Sequence, residues 1–313
     1  MADTTVPQSI TKTTIANQTL TIQSKAGVHT TIVHHSYKLI FDLGTLPSQL
    51  DDGATAAIPT VLISHGHLDH SSGVIQHASR RSLHSSPGIA TYFTLDAPPL
   101  EAYFQAAMDM CGSALDVAVV GVEVNEPFDP HKASGKKSRH LEVVPLRATH
   151  RVPAVGYVVV EEKNVLRPDL KARLEEGSLE QSALGAMRKA GEAITLSVKA
   201  PTFAYSGDTT IDFLTDPDNI AAMDGLHLLA IECTYVGSGE NTTPEKARAR
   251  GHIHLDDIVA QWEADNPILH SLKGLILLHF SQSYSRSQIV SSVLSTLPPS
   301  LLAITHLALD GFD

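Results

Sequence analysis

Apolar residues fall along this chain in short runs, four to eight long, separated by glycine, proline and small polar residues. Runs of strand length recur at residues 30–33, 37–41, 60–63, 89–94, 117–124, 141–145, 154–160, 202–205, 226–231 and 275–278. Between them lie stretches with helical spacing, chiefly 99–110, 170–190 and 255–264. Pro98-Pro99 ahead of Leu100-Glu101-Ala102-Tyr103-Phe104 reads as a helix start, with proline in the first turn. Strands mixed with helices over one continuous chain predict an α/β protein with a two-sheet core and helices outside. No internal repeat or low-complexity linker is apparent, and the pattern is read as one domain spanning residues 1–313.

Composition narrows this only a little. The 313 residues are 42% hydrophobic, enough to build a large core. No apolar run reaches the ~20 residues of a membrane span, and the first residues lack the pattern of a signal peptide, so a cytoplasmic protein is expected. Cys111 and Cys233 are expected to be buried thiols rather than a disulfide. The formal net charge of −11 runs against a protein that grips a long phosphate backbone. The one basic cluster, from Lys132 to Arg139 with His131 and His140 beside it, reads as a solvated loop.

The chemistry concentrates in Val61-Leu62-Ile63-Ser64-His65-Gly66-His67-Leu68-Asp69-His70. A buried strand ends here, and His65 and His67, with Gly66 between them, can converge on a single ion. Asp69 and His70 follow where the chain should turn into a helix, within reach of a second ion. Imidazole and carboxylate suit zinc, manganese or iron better than calcium or magnesium.

His-x-His-x-Asp-His resembles the signature of the metallo-β-lactamase superfamily. Further on, His150 lies in Thr149-His150-Arg151-Val152-Pro153-Ala154-Val155-Gly156-Tyr157, Asp208 in Tyr205-Ser206-Gly207-Asp208-Thr209, and His279 in Leu277-Leu278-His279-Phe280-Ser281. These flanks are similar to those of the tRNase Z branch, and the resemblance spans residues 61–285. It implies an αββα sandwich with the metal site at one edge between two mixed sheets. It also implies two divalent ions, zinc first, with manganese and iron as alternatives. By resemblance His65, His67 and His150 hold one ion, Asp69, His70 and His279 the other, and Asp208 bridges them. Asp42, in Phe41-Asp42-Leu43-Gly44, would support the ligands through hydrogen bonds.

Ile231-Glu232-Cys233-Thr234 and Arg250-Gly251-His252-Ile253-His254 resemble two further elements of that branch. Carried over by position, His252 is the general acid, Glu232 orients its ring, and Asp69 counts as catalytic as well as a ligand. The function implied is a dinuclear metal-dependent hydrolase, a phosphodiesterase or ribonuclease in which water activated by the ions attacks a phosphodiester. The alternatives are a thioester, lactone or other acyl hydrolase on the same ions, and a non-catalytic binding scaffold. His254 is read either as a helix-start residue or as a pocket residue. His34, His35, His77, His84, His131, His140, His227 and His270, with Tyr284 and Arg286, are read as surface or satisfied core positions.

The resemblance also thins in places. Residues 161–200 hold a compact, mixed-charge helical insert, either a cap over the site or a plain connection, in place of a long arm with a Gly-Pro-rich tip. A Pro-x-Lys-x-Arg-Asn element is absent from residues 20–50, and Ser283 stands where an arginine often falls. The expected partner is therefore a small phosphodiester or short RNA rather than mature tRNA, with no membrane. A homodimer is common among the resembled proteins, but no residue here specifies one.

Overall fold

The computed structural model describes residues 12–47, 50, 52–132, 141–237 and 239–312. Two mixed sheets form its centre. The first holds β1 (Lys12–Ile15), β2 (Gln18–Lys25), β3 (His29–His34), β4 (Leu39–Leu43), β5 (Thr60–Leu62), β6 (Ala90–Thr94) and β7 (Val117–Gly121), in that spatial order. The second holds β8 (Leu141–Arg147), β9 (Val155–Leu166), β10 (Thr195–Tyr205), β11 (Leu228–Glu232), β12 (Gly274–Leu278) and β13 (Thr305–Leu307), also in chain order. Each sheet begins with antiparallel neighbours and continues with parallel ones, from β4 onward in the first and from β10 onward in the second.

Side-chain alternation explains why the two sheets stack. Successive strand residues point to opposite faces. In β12, Ile276 and Leu278 enter the layer between the sheets, while Leu275 and Leu277 face the helices. In β11 the same split sends Leu228 and Ala230 inward and Leu229 and Ile231 outward. Leu39 and Phe41 of β4 meet Tyr157, Phe203 and Tyr205 across the gap, with the rings of Phe41 and Phe203 5.1 Å apart. Strands apolar on both faces need cover on both, and helices supply it.

The first sheet is covered by α3 (Val74–Leu83) and α4 (Ala97–Cys111), with α1 (Asp52–Ala56) and α2 (Leu68–Ser71) at its loops. Beyond α5 (Pro168–Glu175) and α6 (Gln181–Lys189), the second sheet has α7 (Pro217–Ala222), α8 (Pro244–Ala249), α9 (Leu255–Glu263), α10 (Pro267–Ser271), α11 (Arg286–Thr296) and α12 (Pro299–Leu302). The result is the expected αββα sandwich. As the sequence pattern anticipates, α4 opens with proline in its first turn.

Several expectations need correction. The segment at 161–200 does hold the helical pair expected at its centre, as α5 and α6, but its flanks are strands rather than a compact helical insert. Strands β9 and β10 run on past the sheet as a two-stranded ribbon, paired as far as Leu166 with Thr195, and α5 and α6 sit only at its tip. Strand β7 ends at Gly121 rather than 124. Cys233 is buried as expected, but Cys111 is exposed at the end of α4; both are free thiols. Residues 133–140, which hold most of the basic cluster and His140, lie outside the described residues. No helix among the described residues is long and apolar enough to cross a membrane.

Candidate metal centre

Strands β5, β8, β10 and β12 end at a common edge, and the site is built on the loops that leave them. His65, His67, Asp69 and His70 come after β5, His150 after β8, Asp208 after β10, and His279 after β12. Val155 donates its backbone N–H to the Ser64 carbonyl at 2.9 Å, and the Tyr157 hydroxyl donates to that of Ile63 at 2.8 Å. These contacts pin the His65 loop of one sheet to the His150 loop of the other.

The polar atoms of seven side chains gather here. One group joins His65, His67, His150 and Asp208, and a second joins Asp69, His70 and His279; within each group the polar atoms lie within 4.8 Å of one another. His65 Nε2 is 2.9 Å from His67 Nδ1, which is 3.4 Å from His150 Nε2. His70 Nε2 is 3.2 Å from His279 Nε2, and Asp208 Oδ1 stands 3.4 and 3.3 Å from those two nitrogens. Asp208 Oδ2 faces His65 at 3.7 Å and His150 at 4.0 Å, so its two oxygens address both groups.

The far side of the rings shows why these nitrogens point inward. Asp42 accepts from His70 Nδ1 at 2.7 Å and from the Ser64 hydroxyl at 2.7 Å; with its proton so committed, that hydroxyl accepts from His65 Nδ1 at 3.0 Å. The Gly251 carbonyl accepts from His150 Nδ1 at 2.8 Å. The Thr234 hydroxyl gives its proton to Glu232 at 2.6 Å and accepts from His279 Nδ1 at 3.0 Å. Four imidazoles therefore carry Nδ1–H outward and aim Nε2 into the cluster, the tautomer a metal ligand needs. Asp208 Oδ1 is buried and accepts no hydrogen bond. An orphaned carboxylate oxygen among inward imidazole nitrogens fits divalent transition-metal ions.

Electrostatics point the same way. Burial pushes the His65 ring well below its usual pKa, helped by the neighbouring His70. His70 is equally buried, yet Asp208 and Asp42 hold its pKa well above the usual value. Burial works against Asp208 too, but His279, His70 and His65 keep its carboxyl ionised well below the usual range. A site that retains a proton against full burial is a site whose field favours positive charge.

Asp42 and His279 both adopt left-handed backbone, with φ of 51° and 60°. For non-glycine residues that conformation is uncommon and costs on the order of 1–3 kcal/mol. Hydrogen bonds hold both in place. Asp42 also accepts from the Ser64 N–H at 2.6 Å and the Tyr205 hydroxyl at 2.6 Å, and the His279 N–H donates to the Ser24 hydroxyl at 3.0 Å. Gly207 is left-handed too, at φ 61°, and a Cβ there would stand 2.6 Å from that of Ser64. Only glycine fits that turn into Asp208.

His252 sits between the two groups, its ring 5.1 Å from His150 and 5.5 Å from His279. Its Nδ1 donates to Glu232 Oε1 at 2.9 Å, and Glu232 is fully buried. The backbone N–H groups of Thr209, Thr234 and Ile253 fix that carboxylate further. Burial lowers the affinity of His252 for a proton, but Glu232 and Asp208 outweigh it and the pKa is raised. Asp69 is held through Oδ2 by the Gly27 N–H at 2.7 Å.

Other histidines resolve as structural. His254 caps α9, accepting from the Asp256 N–H at 3.1 Å, while its Nε2 reaches the Gly237 carbonyl. That settles it as a helix-start residue. His34 bonds Gln18, His77 lies between Tyr92 and the Ile58 carbonyl, and His270 stacks on Trp262. Sequence reasoning missed Ser24, Ser64, Thr234 and the Gly251 carbonyl, which orient the ligands. A lone serine or threonine carries no spacing signal.

Two mixed sheets between helical layers, with this cluster at the shared edge, define a protein of the metallo-β-lactamase fold. The metallo-β-lactamase fold protein YhfI from Bacillus subtilis superposes on it with a TM-score of 0.58 at 13% identity, covering 96% of this chain and 98% of that one. Within that fold the similarity runs to tRNase Z. Over 291 residues the chain is 28% identical to tRNase Z TRZ1 of Arabidopsis thaliana, covering 92% of this chain and 94% of the relative. It is 26% identical to the same plant's chloroplastic tRNase Z TRZ2 over 278 residues, 87% of this chain and 70% of the relative. The short form of human tRNase Z (ELAC1) shares the fold at 17% identity, with a TM-score of 0.54 over 92% of this chain and 95% of that one. No protein-family model matches the chain.

Proposed function

We propose that this protein is a dinuclear metal-dependent phosphodiesterase of the ribonuclease type, acting on a short RNA or a nucleotide diester. The observation that carries this reading is the His252–Glu232 pair set 2.9 Å apart beside two convergent ligand groups. The ligands alone serve many hydrolases; a buried carboxylate holding a protonatable imidazole over them serves a reaction with a poor leaving oxygen.

In this reading His65, His67 and His150 would hold one ion and Asp69, His70 and His279 the other, with Asp208 placed to serve both groups. Bound zinc ions supply Lewis acidity and bring a water's pKa toward neutrality. Glu232 keeps the His252 proton on Nδ1 and raises the ring's pKa, so that Nε2 can hold a second proton. That Nε2 proton passes to the departing oxygen as the P–O bond breaks. Asp42, Ser64 and Thr234 orient the ligands and add no chemistry of their own.

The relatives are tRNase Z proteins, but the arm formed by β9, β10, α5 and α6 carries equal numbers of basic and acidic side chains over residues 161–200. It offers no strongly positive surface to a folded tRNA, which favours the smaller substrate. The two unpaired cysteines support a reducing, cytoplasmic setting for the chain.

The test is elemental analysis on one sample assayed with bis(p-nitrophenyl) phosphate, a thioester and a lactone. Two zinc ions per chain with diester turnover is the expected result. Turnover of the acyl substrates alone would transfer the protein to the acyl hydrolases, and a preparation without stoichiometric metal would remove the basis of the reading.

A further inference from the structure

Beside the ligand cluster lies an apolar cavity of about 410 Å³ that reaches His67 and Gly66 at one end. Leu68 forms part of its wall from within the ligand motif, between His67 and Asp69. Val152 and Pro153, just after His150, form another part, and the first turns of α4 complete it with Pro99, Leu100 and Tyr103. Leu68 is 68% exposed and Tyr103 is 38% exposed. Leu68, set between His67 and Asp69, and Tyr103 of α4 line the same cavity and together present apolar surface beside the site. The Tyr103 hydroxyl reaches the Ser72 carbonyl at 3.5 Å, tying its ring to the far end of α2.

Asp96 is the one carboxylate lining this largely apolar space, whose other polar side chains are His67, Ser71 and Thr94. Asp96 stands at the N-cap of α4, the position where an aspartate normally accepts from the helix N–H groups, yet its side chain caps nothing. Pro98 and Pro99 occupy the second and third helical positions and offer no N–H, so the helix has no donor for it to cap. The carboxylate is left as an acceptor with no donor from its own helix. A fatty acyl chain or a lactone ring gains nothing from such a group and loses by burying it. A nucleobase matches both features: its faces stack on apolar and aromatic side chains, and its edge presents N–H donors to a carboxylate.

We propose that this cavity is a nucleobase subsite that binds the base of the nucleotide carrying the scissile phosphate, with Tyr103, Leu68 and Pro153 as its flat walls and Asp96 as its edge reader. The inference rests on the phosphodiesterase reading and gives it a substrate class. Asp96 selects bases with adjacent N–H donors on the pairing edge, guanine above all, because N1–H and the N2 amino group can meet both carboxylate oxygens. Uracil, whose single N–H lies between two carbonyls, is disfavoured.

The zinc-loaded protein is assayed on three probes, the p-nitrophenyl diesters of 3′-guanylate and 3′-uridylate and methyl p-nitrophenyl phosphate, which has no base. The wild type should prefer the guanosine diester over the uridine diester in kcat/KM by about tenfold. In Asp96→Asn that guanosine-to-uridine ratio should collapse toward one. In Tyr103→Ala the ratio of kcat/KM for either nucleoside diester to that for the base-free diester should fall about tenfold, mainly through KM. Both residues are exposed at the surface, so neither change should unfold the protein. Turnover of all three diesters with ratios that neither substitution moves would overturn the subsite and leave the phosphodiesterase reading standing. Failure to turn over any diester while acyl substrates are hydrolysed would overturn both.

Discussion

Asp208 is the residue whose two oxygens face both ligand groups, and its Oδ1 has no hydrogen bond to fall back on. Asp208→Ala should therefore cost the protein most of its bound metal, read by elemental analysis. His252→Ala should keep metal content near that of the parent while cleavage of a dinucleoside phosphate, whose leaving oxygen is an alkoxide, falls by about 10²–10⁴. Intact turnover with lost metal in the second variant would sink the role assigned to His252. The acid role also has a sign in pH. Because the folded pKa of His252 is raised, its acid form persists past the usual imidazole range and turnover should decline only as pH rises through that elevated value. Glu232→Gln removes the largest raising influence, so the alkaline limb of the kcat profile should move to lower pH. At this scale the sequence was informative: the His-x-His-x-Asp-His spacing and the separated His150, Asp208 and His279 could be read in order, and Asp42 stood out before a glycine. What escaped was single hydroxyls such as Ser64 and Thr234, whose importance exists only once strands far apart in the chain have paired.

Among the elements, the arm departs most from the pattern of the chain. Residues 161–164 and 195–199 mix glutamate, lysine, serine and threonine with valine and leucine, so no apolar run marks the continuation of β9 and β10. The mixed charges of residues 170–176 give helical spacing instead, and α5 and α6 do form, but only at the tip. In these two helices Leu170 alone is buried, so the tip contributes little to the core. Replacing residues 164–197 by a short turn between Lys163 and Val198, which pair directly, should leave metal content unchanged. Stability to denaturant should drop by less than about 1 kcal/mol. A collapse of metal content on that truncation would show that the arm supports the site. Threonine and glutamine dilute the alternation in β1 and β2, which explains why those strands are less visible than β4 or β12.

Across the molecule, the two sheets repeat one plan, antiparallel at the start and parallel toward the end, and the repeat places both sets of parallel strand ends on one edge. The mixture of strand runs and helical stretches made a two-sheet core with helices outside legible, and the resemblance carried by the histidine motifs implied the αββα arrangement; the stacking order of the strands was not legible. Ligands from both sheets mean that an ion bound across them cross-links the sandwich. Removing metal with a chelator should therefore lower the melting temperature, by about 5–10 °C if the ions were present at about 100 times their Kd. A melting curve indifferent to chelation would mean that the ions do not bridge the sheets.

The spread of the donors along the chain, from His65 to His279 with Asp42 beneath them, has a consequence for biosynthesis. A ribosome delivers the first four ligands together, and His279 only 209 residues after His70. A nascent chain, or one ended by premature termination ahead of β12, cannot assemble the second ligand group or present the Thr234–His279 contact that orients it. On the phosphodiesterase reading proposed above, a centre wired in this order would gain its second ligand group, and with it any activity, only once β12 has left the ribosome.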